Sequence, residues 1–199
     1  MSLAKRSSIA AVLAILACAL PAGGARASTG ENLAVATIEQ DGGRAFDFAW
    51  DISAQRGGVV DQANKAHAAA RCSDCEATAI AFQIVIASKA DSVAPTNEAV
   101  ALNLECTRCE VVAEARQFVR VLDAPARLTG AGRRELLDVR RTLSALEAQD
   151  PPIDQLHQAI EAQEARVRQV LNSELVLKSD RSEEPDVIDA QLAQDSDQG

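Results

Sequence analysis

The sequence predicts an α+β fold: an N-terminal β-hairpin, a duplicated CxxC-helix unit and a C-terminal helical hairpin. Three observations lead there. A glycine turn separates two apolar segments near residue 42, the phrase "CSDCEATAIAFQIV" at Cys72 returns as "CTRCEVVAEARQFV" at Cys106, and two stretches beyond Pro125 carry helical periodicity.

The chain opens with Lys5 and Arg6, an apolar run over residues 9–20, the helix breaker Pro21 and the triplet Ala25-Arg26-Ala27. That order is the order of a secretory signal peptide, expected to cover residues 1–27. The run is shorter than the roughly 20 apolar residues of a membrane span. A second reading of the same segment ends a lipoprotein-like box at Cys18, which would leave a lipidated cysteine. Removing residues 1–27 takes away three cations and no anion, so the formal charge moves from −9 to −12. An acidic balance argues against nucleic acid and against an anionic membrane surface, because both require a positive footprint. A secreted or cell-surface protein is expected.

Residues 28–125 are expected to form one domain. Asp41-Gly42-Gly43 offers the positive dihedrals of a tight turn and stands between Val35-Ala36-Thr37-Ile38 and an alternating strand. In that strand Phe46, Phe48, Trp50 and Ile52 share one face, the core face of a half-buried sheet, while Asp47, Asp51 and Ser53 share the other. The repeat follows. Cys72-x-x-Cys75-Glu76 matches Cys106-x-x-Cys109-Glu110, and Ala79/Ala113, Ala81/Ala115, Gln83/Gln117 and Val85/Val119 follow at the same offset. Upstream, Asn64-x-Ala66-x-Ala68 matches Asn97-x-Ala99-x-Ala101 with one residue inserted, which makes an internal duplication. These alanine-rich pieces read as short strands or as helix, and Pro95 breaks the chain between the copies.

Ser73 with Glu76, and Thr107 with Glu110, have the S/T-x-x-E spacing of a capping box, so each CxxC is expected to straddle a helix N-terminus. Ile80, Ile84, Val85 and Ile86 would suit a strand, but the second copy has Val111, Ala115, Phe118 and Leu122 at helical spacing. Helices over residues 74–88 and 108–122 are the resulting expectation. Beyond Pro125, Leu136, Val139, Leu143 and Leu146 form one stripe and Leu156, Ile160, Val167 and Leu171 another, separated by Pro151-Pro152. That pattern gives a helical hairpin over 126–177, whose apolar stripes need a domain or a partner to cover them. From Lys178 the chain is acidic and poor in core formers, so residues 178–199 are expected to be a disordered tail.

Three chemistries fit Cys72, Cys75, Cys106 and Cys109. Of five cysteines Cys18 leaves with residues 1–27, and the even number that remains in an exported chain points to disulfides, within each motif or across the copies. Two CxxC pairs are also a tetrathiolate set suited to zinc. A CxxC at a helix N-terminus is the arrangement that activates thiols for disulfide exchange, although Asp74 opposes thiolate formation. No HExxH, GxSxG, Walker or dinucleotide motif is present, so no catalytic residue is assigned. His67 is matched by Val100 in the second copy and His157 lies on a helical stretch, and neither supports catalysis.

With its duplicated CxxC motif and the "RRELLDVRRTLSAL" segment, the chain resembles an uncharacterised family of exported actinobacterial proteins over roughly residues 30–175. The same segment occurs in proteins named as peptide zinc metalloproteases. The resemblance implies an exported accessory module; with HExxH missing, it brings no protease activity. The expected function is a disulfide-stabilised, non-catalytic binding or assembly module of the envelope or extracellular space, without a cofactor, meeting another envelope or secreted protein through the helical hairpin. The alternative is a metal-binding (zinc) or thiol-disulfide redox protein.

Overall fold

The structure, a computed structural model, describes residues 28–178. The expected signal peptide at 1–27 lies outside the described residues. So does the expected tail, apart from Lys178, whose amide donates to the Pro125 carbonyl at 2.7 Å.

The described residues are mostly β, with nine strands in three sheets. Strands β1 (Ser28–Ile38), β3 (Val59–Ala70), β5 (Ser92–Val93) and β6 (Thr96–Asn103) make the first sheet, and β2 (Arg44–Arg56), β4 (Glu76–Ser88) and β7 (Glu110–Leu122) the second. Every pairing in both is parallel, and the partner lies 32 to 34 residues away: Asn32 beside Asn64 beside Asn97, and Arg44 beside Glu76 beside Glu110. The chain therefore winds as a flattened coil of three rungs, a two-sheet parallel solenoid. Pro95 divides the third-rung strand into β5 and β6, since it has no amide hydrogen to offer the ladder.

This overturns the α+β expectation at three places. The turn at Asp41-Gly42-Gly43 makes no antiparallel hairpin; β1 and β2 go to different sheets and each pairs with the strand one rung on. Residues 74–88 and 108–122 are not helices but hold β4 and β7. Val111, Ala113, Ala115, Val119 and Val121 alternate along one face of β7, and the apparent helical spacing of Val111, Ala115, Phe118 and Leu122 mixes its two faces. Finally, the C-terminal segment is no separate helical hairpin beside an α+β domain. Helices α1 (Gly130–Ser144) and α3 (Ile153–Ser173), joined by the single turn α2 (Leu146–Gln149), form a lid on the outer face of the β2-β4-β7 sheet. The lid is bracketed by β8 (Ala126–Leu128) and β9 (Leu175–Leu177), which pair with each other antiparallel.

Two cores result. Between lid and sheet, Leu136, Val139, Leu143, Leu156, Ile160 and Val167 meet Ile80, Phe82, Ile84 and Phe118. Trp50 and Phe82 stack with centroids 6.0 Å apart, and Arg168 lies over Phe118 at 5.5 Å. The helices meet closely where α1 begins: a methyl on Gly132 would stand 2.7 Å from Glu174 Cβ, so this position takes glycine. The apolar faces of the helices are thus spent on the sheet.

The second core lies between the sheets and is lined by alanine: Ala34, Ala36, Ala66, Ala68, Ala77, Ala79 and Ala81 are all buried. Side chains this small let the two backbones approach, but each buries little area, at about 0.8 kcal/mol per CH₂. Amide ladders supplement them. Asn32 Nδ2 donates to Asn64 Oδ1 at 2.7 Å, and Asn64 Nδ2 to Asn97 Oδ1 at 2.8 Å. The same amides reach across to carbonyls of the facing sheet, Asn32 to Phe82, Asn64 to Ala81 and Asn97 to Ala115. Asn64, fully buried, is the central member. Asn64→Ala strands a donor of Asn32 and an acceptor of Asn97 and leaves a cavity, so the expected loss is about 2–4 kcal/mol. Asn97→Ala, at the exposed last rung, should cost under about 1 kcal/mol by the same reasoning. Urea denaturation followed by circular dichroism measures both, and equal losses would contradict a ladder anchored at its centre.

Candidate functional site

The four cysteines occupy one column of turns. Gly42, Asp74 and Arg108 hold the same place on successive rungs and all have positive φ, 66°, 55° and 57°. The first rung meets this demand with glycine, for which the left-handed region costs nothing. Rungs two and three put side chains there, and each such turn is flanked by a cysteine pair. The backbone ties the turns together: Gly42 N donates to Ser73 O at 2.9 Å, Asp74 N to Thr107 O at 2.9 Å and Glu110 N to Cys75 O at 3.0 Å. Ser73 and Thr107 form a parallel bridge, and Glu76 and Glu110 open β4 and β7. The expected helix-capping role of Ser73, Glu76, Thr107 and Glu110 therefore fails, because no helix begins there.

Cys72 with Cys75, and Cys106 with Cys109, are at disulfide distance, with Cα separations of 6.1 and 5.9 Å, ordinary for a bridge. The pairing runs within each motif, not across copies. All four sulfurs converge. Cys75 Sγ is 3.2 Å from Cys109 Sγ and 4.0 Å from Cys106 Sγ, and those of Cys72, Cys75 and Cys109 lie within 4.8 Å of one another. Cys72 and Cys75 are buried; Cys106 and Cys109, on the last rung, are partly open. Asp74, read as an anion beside the thiols, is bound by Arg108 in a two-point ion pair at 2.5 Å per contact. Hydrogen bonding from that guanidinium holds its carboxyl below the usual aspartate value. Both motifs precede strands, so the helix N-terminus expected at each CxxC is not found among the described residues.

Beside this column, Arg44 pairs with Glu76 at 3.0 Å and also with Asp150. A shallow cleft lies there, between the start of the β2-β4-β7 sheet and the α2–α3 junction, reached by Glu76, Glu110, Arg44 and Asp150. His67 sits on the outer face of β3, 2.9 Å from Glu98, and His157 on α3, 3.7 Å from Glu114. The two histidines lie on opposite sheets' outer sides, and neither is brought to the cysteines.

Sequence reasoning missed a second polar column between the sheets. Gln117 Nε2 donates to Gln83 Oε1 at 2.7 Å, and Gln83 Nε2 to Asp51 Oδ2 at 3.2 Å. The repeat did align Gln83 with Gln117; Asp51 completes the set from the first rung, 32 residues earlier. Burial raises the Asp51 pKa above its ordinary 3.8, against the opposing effect of the Gln83 hydrogen bond.

No family model, no curated protein and no solved structure matches the chain. Among the described residues, no helix is long and apolar enough to cross a membrane.

The Asp51 shift predicts a pH dependence. A carboxyl whose folded pKa exceeds its unfolded one contributes most below the unfolded value, and stability declines as pH rises through the folded one. At pH 7 the ionised carboxylate is therefore a cost. Asp51→Asn keeps the acceptor for Gln83 and removes that cost, so Tm at pH 7 should rise by about 2 °C, with the advantage gone below about pH 3.8. Thermal melts at the two pH values test this, and a variant less stable at pH 7 would contradict it.

Proposed function

We propose that the chain is an exported, non-catalytic binding or assembly module whose solenoid turns are stapled by Cys72–Cys75 and Cys106–Cys109. One observation carries this reading: the two pairs stand at the same turn on consecutive rungs, where the first rung has glycine. A bridge across so short a loop removes little chain entropy, about 2 kcal/mol each in the loop-closure model. Its larger effect is local, holding Asp74 and Arg108 in a backbone region that side chains avoid. A covalent clamp at this place serves a fixed scaffold, and oxidised cysteines accord with an extracytoplasmic compartment.

A second reading rests on the convergence of the sulfurs. Zinc with four thiolates at about 2.3 Å sets neighbouring sulfurs about 3.8 Å apart, and the contacts of Cys75 with Cys106 and Cys109 bracket that spacing. With both cysteine pairs reduced, the thiolates of Cys72, Cys75, Cys106 and Cys109 would hold the ion, which would then fasten the second and third rungs to each other.

Intact mass of the exported chain lacking residues 1–27, and with them Cys18, separates the two when taken native and denatured, with and without alkylation. The stapled module predicts four unreactive cysteines and a mass four hydrogens below the reduced chain. Four alkylatable cysteines with a zinc ion retained only under native conditions would replace it with the metal site.

A further inference from the structure

The two ends of the solenoid differ. The β1-β3-β6 sheet is offset along the stacking direction: β1 lies against both β2 and β4, β3 against both β4 and β7, and β6 mainly against β7. At the N-terminal end the projecting strand is β2, and two of its inward side chains are the carboxylates Asp47 and Asp51. Inward charges guard a sheet edge against pairing. At the C-terminal end the projecting strand is β6. Its inward Asn97, Ala99 and Ala101 are exposed, Val121 of β7 is 54% exposed, and no inward position of β6 or β7 carries a charge.

We infer that this end is an interface between two copies of the chain, related by a two-fold axis along the strands, in which β6 of each copy pairs with β7 of the other. This deepens the assembly reading proposed above by naming the partner. Within one rung the strands run in opposite directions, since Gln62 faces Gln83 while Asn64 faces Ala81. A two-fold axis along the strands keeps those directions, so β6 meets β7 of the second copy antiparallel, and the ledge on one copy fits the step on the other. Both sheets then continue across the junction, and the same patch serves on both sides, which closes the assembly at two.

The helices decide between this arrangement and head-to-tail stacking. Stacking would set β2 of the next copy beside β7, about 4.8 Å away. Helix α1 covers β2 and α3 covers β7, so α1 of the next copy would stand one strand spacing from α3, where packed helices need about 8–10 Å. The two-fold arrangement puts the two lids on opposite faces and avoids the collision. It also brings α3 alongside the outer face of the second copy's β6, where Leu102 is 46% exposed.

The polar groups at this end are complementary. Asn97 spends one amide hydrogen on Ala115 O, and Gln117 Oε1 receives no donor among the described residues. Glu98 lies near the start of β6 and Arg120 near the end of β7, with no acid within ion-pair distance of Arg120 among the described residues. Antiparallel pairing carries Glu98 of one copy toward Arg120 of the other.

Sedimentation velocity and native mass of the purified full chain over a range of concentrations test the proposal. A species of twice the chain mass that grows no further is expected. Ala99→Asp copies onto β6 the inward charge that guards β2, and should weaken the dimer at least about tenfold while leaving the circular dichroism melt in place. Leu102→Lys provides a second lesion should Ala99→Asp unfold, whereas Leu33→Lys, on the outer face far from this end, should leave association unchanged. A chain that is monomeric throughout, or larger oligomers indifferent to Ala99→Asp, would overturn the interface. Association that emerges only after removal of residues 179–199 would overturn it too, by making the tail the occupant. A monomer with all four cysteines oxidised sinks this interface and leaves the stapled module standing.

Discussion

Everything in this molecule follows from how closely two parallel sheets face each other. Alanine on the inner faces of β1, β3 and β4 lets the backbones approach, and beside it the chain places amides that must find partners on the adjacent rung or the facing carbonyls. A buried amide left unmade costs about 1–3 kcal/mol, more than an alanine methyl contributes. The ladders therefore fix register: shifting one strand by a residue turns Asn64 outward and presents Lys65 or Ala63 to the interior. With register fixed, the outward Phe46, Phe48, Trp50 and Ile52 of β2, Ile80, Phe82, Ile84 and Ile86 of β4 and Val112 and Phe118 of β7 share one apolar field, and the helical lid is its cover. The larger side chains of the protein sit there, so the narrow core specifies the arrangement while the wide one supplies most of the buried area.

Much of this was present in the sequence in scattered form. The matched cysteine motifs, the Asn-x-Ala-x-Ala phrase and the alternation of Phe46, Phe48, Trp50 and Ile52 all mark real structural columns. The architecture stayed hidden because the first rung has no cysteines. Without them, no motif in the sequence aligns Asn32 with Asn64 and Asn97, or Asp51 with Gln83 and Gln117, and a threefold repeat reads as twofold. An Asp-Gly-Gly turn is locally compatible with a hairpin and with a solenoid arc, and only the partner 32 residues away distinguishes them. On the outward face of β7, Arg116 pairs with Glu164 on α3 at 3.0 Å, a partner that only the folded lid supplies.

The cysteine column shows the same backbone problem solved in two chemistries. Gly42 is free to adopt the turn; Asp74 and Arg108 are held in it, and their side chains then neutralise each other across the rungs. The candidate site is thus legible as residues but not as a device, because the capping-box spacing is satisfied equally by a strand entering a sheet.

The constant spacing of the rungs bears on how the chain reaches this state. Each strand's partner emerges 32 to 34 residues after it, so a polypeptide delivered amino end first can add one rung at a time to a template already laid down, with no element waiting for a distant one. Only the lid departs from that order. Its closing strand β9 returns to β8 across some fifty residues, so the apolar field on the second sheet remains uncovered until residues 130–177 have arrived. The interval between the third rung and lid closure is when this protein is most exposed to adhesion by other chains, and a chaperone acting on it would find its target there.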